Sequence, residues 1–310
     1  MTYSTNGLIQ ITDYNGFVST STPNVNSLWS TGATTRGYGQ TALATVGSSG
    51  LVFASNWLNL INTINSIASH QGTTIGSYTD GTPSISELIF AEANLSNNIT
   101  LIDTSRLNAI AQGSTSPTTA TSVSTWSNIL TITFTVTFTS DNTARYYFNA
   151  GGQIGFTFSH PAGVGSSINQ LISDLASDAG TLWHSSTNSG TVSLSGTSYT
   201  GVTKIGGQNT GGTTVNTNNG FYSIYPTGSN ILLTQYSNYV YHSYSSTFLQ
   251  VSASYNGAGV LTYTCIFDEV PDGATVSTGT QATLTLRPPS TTYLTNSWGT
   301  PAVTTSIVAA

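Results

Sequence analysis

The chain has 310 residues, of which only 5% are charged, with five Lys and Arg against eleven Asp and Glu for a net charge of −6. Ordinary globular chains carry roughly 25% charged residues, and a chain without a cluster of cations cannot release counterions from a phosphate backbone, which argues against DNA or RNA binding. One cysteine, Cys265, excludes an intrachain disulfide scaffold, and no apolar stretch approaches the ~20 residues of a membrane span.

At this length the chain can bury a real core and is expected to form two structural units. The opening "MTYSTNGLIQ" has neither a cationic n-region nor an apolar h-region, which predicts synthesis in a cytoplasm without a cleaved export signal. Residues 1–50 are short apolar pieces broken by Gly, Pro, Ser and Asn, and read as an extended arm. Over residues 51–112 the period changes. In "VFASNWLNLINTINSIAS", Trp57, Leu58, Leu60, Ile61, Ile64 and Ile67 share one helical stripe, with Ser55 as N-cap. Ile85, Leu88, Ile89 and Ala93 recur at three and four after "GTPS", and "LIDTSRLNAIA" continues that helix or forms a third. Residues 51–112 are therefore expected as a small helical unit. Residues 113–125, polar and irregular around Pro117, read as a linker.

Strand signals dominate residues 126–310. "ILTITFTVTF" alternates Ile132, Phe134, Val136 and Phe138 with threonines, the period of a sheet with one wet face. "RYYFNAGGQIGFTF", residues 145–158, sets aromatic runs on either side of Asn149 to Gly152 and reads as a hairpin paired with the strand before it. A helix is expected near 166–178, from Ile168, Leu171, Ile172 and Leu175. Short strands follow at "TVSLSG", "GFYSIY", "NILLTQY", "FLQVSASY", "VLTYTCIFDE" and "ATLTLRP", with Cys265 as a buried strand thiol. The fold class is thus mainly β: a sandwich or jelly-roll-like C-terminal domain, a small N-terminal helical unit and an extended N-terminal arm.

The signatures of chemistry are sparse. His70, His160, His184 and His242 include no pair at the helical zinc spacing, and no Cys or carboxylate lies near them to complete a set. Nucleophile-elbow, phosphate-loop and dinucleotide motifs are absent. Asp268, Glu269 and Asp272 form the one dense group of carboxylates and read first as a strand end entering a turn; a glycosidase would need two of them facing each other. The tyrosine-rich "YSIYPTGSNILLTQYSNYVYHSY" covers a sheet or stacks sugars. Two N-x-[ST] triplets, at Asn94 and Asn98, read as coincidence. No catalytic, cofactor-binding or metal-ligating residue is assigned, and no cofactor.

Three stretches carry a resemblance: "RGYGQ" at 36–40, "NWLNLINTINSIASHQG" at 56–72 and "ARYYFNAGGQIGFTF" at 144–158. In order and spacing they resemble a family of virion structural proteins of tailed bacteriophages, cyanophages prominent among them. Its members show a Gly-Tyr-Gly-Gln stretch, a Trp-containing helix ending in His-Gln, and an Arg-Tyr/Phe-Phe-Asn-x-Gly-Gly run. The charged residue that often follows the Gly-Gly pair there is replaced here by "QIGFTF". The resemblance implies a particle component of the neck, tail, baseplate or fibre, which works by subunit assembly and is not an enzyme, with copies of itself and other virion proteins as partners. Low charge suits permanent contacts made by backbone pairing, amides and hydroxyls. Two other readings stand beside it: a fibre module binding host receptor or surface glycan through tyrosines such as Tyr239 and Tyr241, and a glycan-cleaving tailspike using Asp268, Glu269 or Asp272.

Overall fold

The computed structural model describes residues 10–78, 94–110, 112–161, 167–186, 191–194, 197–200, 203–205, 213–215, 220–236, 247–269 and 274–310. The helical pattern from Ile85 to Ala93, together with Tyr239, Tyr241, His242 and Asp272, lies outside them. In chain order come helix α1 (Ile11–Asn15), a π-turn (Gly16–Thr20), α2 (Val25–Trp29), α3 (Ala54–Gln71), α4 (Leu95–Thr104), strands β1 (Ser116–Thr121) and β2 (Ile129–Thr137), α5 (Asp141–Asn149), β3 (Gln153–Ser159), α6 (Ser167–Ala179), β4 (Thr181–His184), β5 (Thr191–Leu194), β6 (Thr197–Thr200), β7 (Thr203–Ile205), β8 (Thr213–Val215), α7 (Phe221–Ile224), β9 (Gly228–Tyr236), β10 (Phe248–Tyr255), β11 (Val260–Asp268), β12 (Gln281–Arg287) and β13 (Ala302–Ala309). Two compact units result: one takes Met1–Gln112, Arg145–Gly151 and Pro289–Trp298, the other Gly113–Ala144, Gly152–Pro288 and Gly299–Ala310.

The second unit is built on two antiparallel sheets, one in the order β1-β12-β3-β4-β7 and the other β13-β2-β11-β10-β9-β8, with β5 and β6 paired separately. The threonine alternation of β2 works as expected: Leu130, Ile132, Phe134 and Val136 are fully buried while the threonines between them are not. β11 supplies Leu261, Tyr263, Cys265 and Phe267, buried in register against them, Cys265 opposite Ile132 and Tyr263 opposite Phe134. Rings from the two sheets meet across the interior, Phe134 edge-on with Phe156, Phe156 tilted against Tyr263 and Phe158 edge-on with Phe267, at centroid separations of 6.2, 4.9 and 6.0 Å. The layers therefore pack as in a sandwich, and each fully buried ring among them, Phe134, Phe156, Tyr263 and Phe267, contributes about 1.5–3 kcal/mol by leaving water. α6 covers β3, β9 and β10 with its apolar face of Ile168, Leu171, Ile172 and Leu175.

The first unit centres on α3. Trp57, Leu60, Ile61, Ile64 and Ile67 are each at most 1% exposed, and Phe17 packs edge-on against Trp57. The cap differs from expectation. Ser55 lies inside the helix, and the Asn56 side-chain oxygen accepts the Phe53 N–H instead. Gly72, with φ +65°, ends the helix in a left-handed residue.

Four expectations are corrected. The first part of the expected arm is not extended: residues 11–29 coil into α1, the π-turn and α2, burying Tyr14, Phe17, Val18, Val25 and Leu28. These helical pieces are five residues each, too short to show a period, and asparagines pin them. Asn15 and Asn26 each exchange two hydrogen bonds with one backbone residue, Val46 and Leu43 respectively. Residues 113–125 are not wholly a linker, because Ser116–Thr121 forms β1, with Pro117 opposite Thr285 of β12. Proline is tolerated there because β1 is an edge strand, whose outward N–H needs no partner. "GFYSIY" is the helical turn α7, whose Phe221 ring packs on Tyr255 at 5.1 Å.

The fourth correction concerns "RYYFNAGGQIGFTF". Its first half is a helix, α5, and its second half is β3, which pairs with β12 and β4 and not with β2. Ser140 opens the helix: its hydroxyl accepts from the Thr143 N–H, and Thr143 Oγ1 accepts from the Ser140 N–H, a reciprocal cap. Gly151, at φ +92°, closes it. Every residue from Ala144 to Ala150 is buried, so no wet face marks the helical period.

Candidate functional site

The three stretches that carry the resemblance lie far apart in sequence, yet in the first unit they meet in one buried network. Tyr38, fully buried, stands at its centre. Its hydroxyl donates to the Arg106 carbonyl at 2.6 Å and accepts from Gln71 Nε2 at 2.8 Å, while its ring meets His70 edge-on. His70 Nε2 lies 2.8 Å from the Ala150 carbonyl; since a carbonyl only accepts, that nitrogen carries the proton. Thus Tyr38 comes from the first stretch, His70 and Gln71 from the C-terminal turn of α3, and Ala150 from the end of α5.

Two further side chains on one face of α5, spaced i and i+4, hold the loop before Tyr38. Arg145 Nη2 donates to the carbonyls of Thr31 and Arg36, and Asn149 Nδ2 to those of Thr34, Arg36 and Gly37. Gln40 fixes the other side of the loop: its amide nitrogen reaches the Tyr38 and Thr295 carbonyls and its oxygen accepts from the N–H and hydroxyl of Thr295. Gly39, at φ +70°, leaves room for Tyr146, whose Cδ2 would lie 2.4 Å from any Cβ added there. Arg36 forms a bidentate pair with Asp103 at 2.7 and 2.8 Å.

Burial sets the protonation of this network. Desolvation pushes the Tyr38 phenol well above its ordinary range and His70 below its own, so both stay neutral across ordinary pH. Apart from His70 Nδ1, which is buried without a partner, the polar side-chain atoms named here bond backbone groups and each other, an arrangement that rigidifies a loop. Tyr38→Phe is expected to cost about 1–3 kcal/mol, because the Arg106 carbonyl and the Gln71 amide lose a buried partner each; urea unfolding midpoints at unchanged m-value check it.

Among the described residues, those weighed for chemistry do not come together. His160 bonds Thr280 through Nδ1 at 2.9 Å, and His184 bonds the Tyr263 hydroxyl at 2.7 Å; His70 is in the other unit. Among the described residues no group of three His, Cys, Asp or Glu could hold a metal ion. Asp268 is half-buried, with its pKa raised by desolvation, while Glu269 is buried. Successive residues at a strand end point to opposite sides, so these two carboxylates do not face one another. Cys265 is buried in β11, and burial pushes its thiol far up. Asn98, of the second N-x-[ST] triplet, is 1% exposed and gives both ends of its amide to Gly76. Of the tyrosines in the C-terminal half, Tyr225 and Tyr255 both donate to the Asp141 carboxylate, while Tyr293 is exposed.

Reading the sequence missed the partners on which the network closes: Arg106, Asp103, Thr295 and Ser297. Gln40 and Thr295 are 255 residues apart, a distance over which no local signal operates. No protein-family model, curated protein or solved structure matches this chain, and among the described residues no helix is long and apolar enough to cross a membrane.

Proposed function

We propose that the chain is a structural component of a tailed-phage virion, in the neck, tail, baseplate or fibre, and that it acts by assembling with copies of itself and other virion proteins. One observation supports this above the rest. The residues through which the sequence resembles the virion family, Tyr38, Gln40, His70, Gln71, Arg145 and Asn149, are the ones that build a single buried network. The likeness therefore falls on connected architecture, where scattered coincidence would have placed it on unrelated surfaces. The near-absence of charge suits contacts that persist through changing salt, and the β-rich second unit suits contacts made through backbone pairing. Quantitative mass spectrometry of purified particles of the encoding phage is the test. The chain is expected in a copy number that is a multiple of three, six or twelve; its absence from particles while present in the lysate overturns the reading.

A further inference from the structure

We infer that β13 is a self-complementary docking edge, on which a second copy of this chain pairs antiparallel about Thr305, joining the two six-stranded sheets into one. The inference deepens the assembly reading above and names the surface through which copies meet.

Sheet edges need guarding, because a row of free N–H and C=O groups is a template for another strand. Among the described strands, three of the four edges of the two large sheets are guarded. β7 and β8 are three residues long, and β1 carries Pro117. β13 is the exception: eight residues long, without proline or charge, in a chain with no charged residue after Arg287. Apart from the half-buried Val303, every residue of β13 is exposed, including Ile307 at 38% and Val308 at 62%.

The ladder shows which groups are free. Phe138 N–H donates to the Gly259 carbonyl, so the even-numbered residues of β2 turn their backbone groups to β11 and the odd-numbered ones to β13. In agreement, Ala310 N–H donates to the Ile129 carbonyl. With the register Ala302 to Thr137 through Ala309 to Leu130, the backbone groups of Val303, Thr305, Ile307 and Ala309 are left pointing away from β2. These residues lie opposite Val136, Phe134, Ile132 and Leu130, on the core-facing side of the sheet.

The strand "AVTTSIVA" is near-palindromic about Thr305, and the symmetry has the right parity. A two-fold axis at Thr305 sets it against Thr305 of the second copy, Val303 against Ile307, Thr304 against Ser306 and Ala302 against Val308. Residues with free backbone groups then meet each other, and core-facing residues meet core-facing ones. Each face then carries like with like, Val303 against Ile307 and Thr305 against Thr305 on one, Ala302 against Val308 and Thr304 against Ser306 on the other, pairings favourable across strands, and the interface is isologous, as closed dimers require.

Sedimentation of the full chain, with two further sets of variants, tests this. Wild type is expected to sediment as a dimer. Thr305→Lys places two cations on the axis and should weaken the dimer by about tenfold or more, with the circular dichroism spectrum of the folded chain unchanged because the side chain is exposed. Thr305→Cys should cross-link to itself with a short bis-maleimide, Cys265 being buried. Val308→Cys should not, since the two copies of residue 308 would stand about six residues apart along the strands, on the order of 20 Å. A wild type that stays monomeric, a dimer indifferent to Thr305→Lys, or equal cross-linking at 308 refutes the edge. A monomer that is nonetheless found in particles sinks this inference and leaves the virion reading standing; a two-fold dimer absent from particles does the reverse.

Discussion

Gly151→Val is expected to be the most damaging single substitution in the first unit, removing about 2–5 kcal/mol of stability and, at the upper end, preventing folding. Two costs add. Gly151 closes α5 at φ +92°, where a Cβ meets the backbone at about 1–2 kcal/mol and a β-branched residue fares worse. That Cβ would also lie 2.3 Å from the Ala109 Cβ, an overlap that forces repacking at a typical 1–3 kcal/mol. The backbone has little freedom to move away, because Ala150 is held by His70 and the Gly151 carbonyl accepts from Gln112. The two costs separate in a double-mutant cycle. Gly151→Ala should lose stability from both, and in an Ala109→Gly background the steric part should vanish and the conformational part remain. Urea unfolding measures all four chains, and a Gly151→Val chain with the wild-type midpoint would refute the account.

The strands with one wet face were legible in the sequence because burial on a single side writes itself as alternation. β2, β10, β11 and β12 all alternate buried and half-buried residues, and α3 and α6 likewise keep a polar side. The elements that escaped are those buried all round or exposed all round. α5 has Tyr146, Tyr147 and Phe148 buried in succession, which reads as a strand because three adjacent aromatic residues are strand formers. Its real signals were the ends, Ser140 with Thr143 before it and Gly151 after. β13 has the opposite problem: with almost no buried side chain, only its β-branched content marked it.

The network around Tyr38 was legible as three separate stretches and not as a site. Gln40 and Asn149 occupy their positions because each completes backbone groups of another segment. Such bonds tie residues with no periodic relation, so the sequence carries their residue types and not their pairing.

Lowering the pH from about 6.5 to about 3 is expected to strip roughly 3–5 kcal/mol of stability through His184 alone. Burial of the imidazole between the sheets pushes its pKa down to about 3, while in the unfolded chain it returns to about 6.5. Between those values the unfolded state binds a proton that the folded state refuses, so stability is full above about pH 6.5, falls as the pH drops, and levels off below about 3. Each unit of pH in the window costs at most about 1.4 kcal/mol for this residue. His70 and His160 are also lowered by desolvation and act with the same sign. Asp268, raised by burial, acts with the opposite sign. His184→Gln keeps a hydrogen-bonding group within reach of the Tyr263 hydroxyl and removes the titration. It should be less stable than wild type at pH 7 and lose less between pH 6.5 and pH 4, so that the two urea-denaturation curves converge as the solution is acidified. Parallel loss of stability in the two chains would show that His184 is not the group that titrates.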